Sequence, residues 1–96
     1  MNLEISENTE QNRFEAKIGD KKAILEFIRS DGKMYLTHTE VPKQLEGNGV
    51  GSALVEHALA VIEDEKRKLV PSCPFVASYV EKNPEYVHLL AGHNNK

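Results

Sequence analysis

Three glycines alternate at Gly47, Gly49 and Gly51 inside the segment LEGNGVGSALV (45–55), directly ahead of an amphipathic run. Glycine lets a backbone approach a ligand closely and turn successive N–H groups toward it. The first N–H groups of a helix have no internal partners, and the helix dipole adds partial positive charge there. Such a loop makes an anion site suited to a pyrophosphate, its donors running from Gly47 through Asn48, Gly49, Val50 and Gly51 to Ser52. A second reading is a tight strand-to-helix turn. A turn alone needs fewer glycines, and each one at a helix start costs about 1 kcal/mol relative to alanine.

Two other phosphate loops fail on context. A Walker A loop requires Gly-Lys-Ser/Thr, whereas Gly51 is followed by Ser52 and Ala53. The dinucleotide fingerprint requires its third glycine where Ser52 stands, within a larger parallel fold.

Cys73 is the one thiol in the chain. It falls between a short strand and a helix start, where the helix terminus favours a thiolate. An ordinary thiol is only about 3% ionised at pH 7, so such help matters. The alternative is a buried cysteine serving as a small hydrophobe. His38 and Glu40 share one face of the strand before the glycine loop, because strand side chains alternate. Facing a cleft, either suits a general base, or His38 a partner that polarises Cys73. Facing water, they only solvate the sheet.

The elements that must position these groups follow from periodicity. Phe14, Ala16 and Ile18 alternate with polar residues, Gly19-Asp20 turns the chain, and Ala23 to Arg29 returns. Asp31-Gly32 is a favoured two-residue turn into a strand from Met34 to Val41, with Leu3 to Ile5 as an edge strand. After a loop from Pro42 to Gly47, helical spacing predicts a helix from Gly49 to Arg67. Lys66, Arg67 and Lys68 complement the dipole at its C-terminal end; contact with a cofactor phosphate is the lesser reading. A short strand covers Leu69 to Ser72. Pro74 and Pro84 each open a helix, to Lys82 and to Ala91, with Gly92 as the stop and His93 to Lys96 as a frayed tail. The class is α+β: an antiparallel meander, a crossover helix, a late strand and C-terminal helices.

Ninety-six residues suit one domain, spanning 1–96, and a net charge of −3 with scattered cations argues against general nucleic-acid binding. The apolar stretches are too short for a membrane span, and the polar N-terminus lacks a signal-peptide core. One cysteine excludes an intramolecular disulfide and a four-thiolate zinc site, and no metal is expected; the expected location is the reducing cytoplasm. His57, His88 and His93 fit no ligand pattern and read as surface histidines.

The glycine segment resembles the coenzyme A loop of the GNAT superfamily of N-acetyltransferases, Gln/Arg-x-x-Gly-x-Gly/Ala opening a helix. Gly49 and Gly51 fall on its two small positions, and Glu46 departs from its first. The stretches HTEVP (38–42), GNGVGSALV (47–55), VPSCPFVASYV (70–80) and NPEY (83–86) resemble a group of small, truncated GNAT-like proteins, over Met34 to Leu90.

That resemblance implies a minimal GNAT-like fold and acetyl-coenzyme A as the acetyl donor. It implies pantetheine lying between the strands Met34–Val41 and Leu69–Ser72, flanked by the backbone of Glu40 and Val41. Larger relatives place a tyrosine near Tyr79 that can protonate the leaving thiolate; a half-buried packing role is the alternative. The implied activity is acetyl transfer to an amine of a protein, polyamine or metabolite. A coenzyme A-binding sensor with little catalysis and, last, a cysteine hydrolase using Cys73 and His38 are the other readings. Oligomeric state is not legible.

Overall fold

Five strands form one sheet in chain order: β1 (Glu4–Asn8), β2 (Arg13–Ile18), β3 (Lys21–Ser30), β4 (Lys33–Glu40) and β5 (Lys68–Pro71). The computed structural model of the protein describes residues 3–92; His93 and the rest of the expected tail lie outside the described residues. The first four strands are antiparallel, as the alternation and turns predict. β4 and β5 run parallel, joined by the crossover helix α1 (Val50–Asp64). At the hairpin between β3 and β4, Asp31 and Gly32 both take positive φ, 53° and 74°, the primed turn whose twist matches the flanking strands.

One face of the sheet carries the core. Phe14, Ala16, Ala23, Leu25, Phe27, Met34 and Leu36 are buried with Leu54, Val55, Ala58, Leu59 and Ile62 of α1. Phe14 meets Phe27 at 4.8 Å between ring centroids and His57 edge-on at 5.1 Å. His57, expected as a surface histidine, is therefore part of the packing. His88 is exposed, with Nδ1 3.0 Å from the Glu85 carbonyl oxygen and Nε2 3.4 Å from Glu63.

The register between β3 and β4 slips by one residue. Leu36 stands opposite Phe27, but His38 stands opposite Glu26, which leaves Thr37 as the extra residue of a β-bulge. Up to Leu36 the even-numbered residues of β4 face α1. Beyond the bulge the parity reverses, so Thr39, opposite the buried Leu25, takes the helix side.

Two elements end earlier than periodicity predicts. α1 stops at Asp64 because Lys66 adopts a left-handed conformation, φ 58°. The N–H of Arg67 then donates to the Ile62 carbonyl at 2.9 Å and that of Lys66 to Glu63 at 3.1 Å. This is a Schellman termination with lysine in the usual glycine place. After α2 (Pro74–Lys82), the last expected helix is a 3₁₀ turn, Pro84–Leu89. The Ala91 N–H donates to the Leu69 carbonyl at 2.8 Å and Leu90 bridges Leu69, which draws the chain back to the sheet edge.

Candidate functional site

β4 and β5 pair only as far as Leu36 and Pro71. The Cys73 N–H still reaches the Leu36 carbonyl at 2.9 Å, and then Pro74 turns the chain into α2. From Thr37 to Glu40, β4 has β3 on one side and, among the described residues, no strand on the other. Main-chain groups along that edge are free for an extended ligand carrying its own amides.

This edge opens into a cavity of about 600 Å³. Thr39, Glu40 and Val41 line it from β4, and Leu45, Glu46, Gly47 and Gly49 from the loop. Val50, Gly51 and Ser52 close it at the head of α1, with Phe75 across from them. The glycines have separate physical reasons. Gly47 and Gly49 take φ of 84° and 75°, a region that L side chains rarely adopt. Gly51 lies under Phe75, whose ring would stand 2.9 Å from a Cβ added there. Gly49 caps α1 without a side-chain bond, and the Ala53 N–H is the first to reach back, to Gly49 at 3.0 Å. The N–H groups ahead of Ala53 thus stay available at the positive end of the helix dipole. Asn48 is not in the lining; its Nδ2 donates to the Leu45 carbonyl at 3.3 Å and braces the loop.

Cys73 lies behind Thr39. The thiol is buried, with the residue 5% exposed, and Sγ is 3.4 Å from the Thr39 hydroxyl. Burial pushes its pKa up, but hydrogen bonds from the Thr39 hydroxyl and from the backbone of Val76, Phe75 and Thr39 together outweigh it. The thiol is held below its ordinary range. Cys73 is thus a buried packing residue whose hydrogen bonds offset the cost that burial places on its thiolate.

The other three chemical candidates stand elsewhere. His38 and Glu40 do share a face, but the bulge turns that face away from the helices, and both side chains are exposed. Glu40 borders the cavity, whereas His38 does not. The Tyr79 hydroxyl donates to Glu56 Oε2 at 2.6 Å. Burial, then the Glu56 carboxylate, raises the Tyr79 pKa well above that of an ordinary phenol. Tyr79 lines a separate pocket beyond Phe75 rather than the main cavity. Sequence reasoning missed Thr39 and Phe75. Thr39 lies on the wrong parity unless the bulge is known, and Phe75 gave no signal beyond its place after Pro74.

A family model described as GCN5-related N-acetyl-transferase matches residues 13–89, most of the chain. The chain belongs to this family. Its fold agrees: a GCN5-like protein from Staphylococcus aureus, solved by NMR, superposes with a TM-score of 0.75 at 26% identity, covering 98% of this chain and 93% of that one. Protein NATD1 of Gallus gallus and of Mus musculus is 37% identical over 49 residues, 51% of this chain. The match spans under half of those relatives, 44% of each. The matched region takes in the parallel pair, its crossover helix and the glycine loop that leads into that helix. Among the described residues, no group of three or more His, Cys, Asp or Glu is placed to hold a metal ion. Nor, among them, is any helix long and apolar enough to cross a membrane.

Proposed function

We propose that the protein binds acetyl-coenzyme A in the main cavity and transfers the acetyl group to an amine. The observation that carries this reading is the continuity of one cavity from the unpaired edge of β4 to the free N–H groups at the head of α1. Pantetheine carries amides that can pair with a strand edge, and its pyrophosphate needs fixed donors. The chain offers both in that order. Val41 borders the thioester arm, and the backbone from Gly47 to Ser52 holds the diphosphate, with the Asn48 side chain bracing the loop. Glu46, a carboxylate beside that diphosphate, weakens the grip without removing a backbone donor.

In the reaction the amine nitrogen attacks the thioester carbonyl carbon, the carbon–sulfur bond breaks, and coenzyme A leaves as a thiolate that takes up a proton. A protonated lysine-like amine must first lose its proton, and Glu40 at the rim of the cavity is the group we assign to receive it. Cys73 lies toward the acetyl end behind Thr39, in a reducing cytoplasm that keeps it a thiol. Its position suits an acetyl-cysteine relay only if Thr39 moves aside; transfer directly to the amine requires no such step. His38, on the outer face, and Tyr79, tied to Glu56, have no step in this scheme. That same displacement favours a second reading, a coenzyme A-binding sensor with little turnover.

The test has two readouts. Titration with acetyl-coenzyme A followed by amide chemical shifts should move residues 47–52 and 39–41 first. Free thiol should then be released faster with polyamines, lysine-containing peptides or small amines than without them. Binding without release from any amine favours the sensor, and undisturbed amides at 47–52 defeat both. An intact-mass gain of about 42 Da mapped to Cys73 identifies the relay.

A further inference from the structure

The outer face of the sheet, turned away from α1, carries an apolar row across three strands. Met34 and Leu69 are buried on the helix side, so their neighbours Tyr35 of β4 and Val70 of β5 point outward. These two stand side by side, and Ile28 of β3 stands on the other flank of Tyr35. Tyr35 and Val70 are half-buried, whereas Ile28 is 55% exposed. A single exposed isoleucine is ordinary. The charges around this one are not.

Two residues along the strands on one side of the row lie Lys33 and Lys68, directly opposed across β4 and β5. Like charges so placed repel. Two residues along β3 on the other side lies Glu26, opposite His38. Lys68 turns its Nζ to the His88 carbonyl at 3.0 Å. Among the described residues, Lys33 and Glu26 take part in no ion pair, whereas Glu15 on the same face is held by Arg13 and Lys22.

We propose that this half of the outer face binds a second copy of the chain, sheet against sheet. A two-fold axis along the Ile28–Tyr35–Val70 row reverses the partner's strands and sets each apolar residue near its counterpart. The same axis carries the cationic end of each copy over the acidic end of the other, because both ends lie about 7 Å from the row. Lys33 of each copy then meets the partner's Glu26 across sheets about 10 Å apart. The apolar centre is covered and both unmatched charges gain partners. Three strands and three rows make a smaller contact than a permanent dimer has, so the association is weak and reversible.

Sedimentation equilibrium at pH 8 and low ionic strength tests this. The mean mass should rise from that of one chain, 10.8 kDa, toward twice that value as the protein is concentrated. The expected dissociation constant is about 100 μM, followed over about 10 μM to 1 mM. Ile28→Asp should abolish the rise, because it buries a carboxylate at the centre of the contact. Lys33→Glu and Glu26→Lys should each weaken self-association about tenfold. Mixed together, those two variants should associate as tightly as the unaltered protein, since each presents the charge that the other lacks. All three side chains lie on the outer face, so the fold persists in each variant, which circular dichroism verifies. An unaltered protein that stays monomeric at the highest concentration overturns the proposal and leaves the face to a partner of another kind. Association that survives Ile28→Asp, or a mixture no tighter than its components, overturns it equally.

Discussion

The Thr39–Cys73 pair is where the bulge, the strand separation and the start of α2 meet. A thiol with the residue only 5% exposed ordinarily resists ionisation, because burial disfavours its charged form. Here that penalty is outweighed by the Thr39 hydroxyl and by backbone donors of Val76, Phe75 and Thr39. The sign is therefore downward, and thiolate forms at lower pH than in a free cysteine. Alkylation by iodoacetamide across a pH series should show a midpoint below that of a free thiol, although slowed at every pH by burial. Thr39→Val deletes the largest of the stabilising bonds and should move the midpoint upward while the fold persists. An unmoved midpoint in the valine variant assigns the effect to the helix start alone and removes Thr39 from the chemistry.

At the scale of elements, legibility in the sequence depended on whether a conformation demands a particular residue. The loop at Gly47 and Gly49 requires left-handed backbone, and glycine advertises it. The Asp31-Gly32 turn does likewise. The bulge at Thr37 demands no special residue; one extra amino acid reverses the parity of everything after it and leaves no compositional mark. Hence alternation alone puts His38 and Glu40 on one face, while the bulge decides which face that is. Proline opens a 3₁₀ turn as readily as an α-helix, so Pro84 marked the start and not the type.

The end of α1 is the converse case, a left-handed site filled by a residue that does not announce it. Lys66 pays for that geometry with its own Cβ. Lys66→Gly should stabilise the protein by about 0.5–1 kcal/mol, less a few tenths for the lost cation at the helix end. An upward shift of the urea midpoint with an unchanged slope checks it. A fall in the midpoint means that the Schellman turn is not what holds this end.

For the molecule as a whole, two polar clusters hold the strands that the main cavity does not touch. On the helix side, Arg29 bonds Glu7 of β1 at 2.7 Å and Glu65 past α1 at 2.9 Å, joining the sheet edge to the crossover. On the opposite face, Glu15 accepts from Asn8 at 2.9 Å and Arg13 at 2.8 Å, with Lys22 at 3.5 Å, tying β1, β2 and β3. The Asn8 and Arg13 hydrogen bonds hold the Glu15 carboxyl below its ordinary range, against a smaller opposing effect of burial. A group with a lowered folded-state pKa stabilises the fold above its unfolded value and loses that contribution as pH falls through the folded one. The stability difference between the protein and Glu15→Gln should therefore be full above about pH 5 and shrink progressively below about pH 4. Because Glu15 lies on the face away from the cavity, the proposed binding of coenzyme A at neutral pH should not change. Urea unfolding at several pH values measures the first expectation and calorimetry the second. A difference independent of pH would mean that the glutamate acts through packing rather than charge. A change in affinity would mean that the outer face and the ligand cavity are coupled through β3.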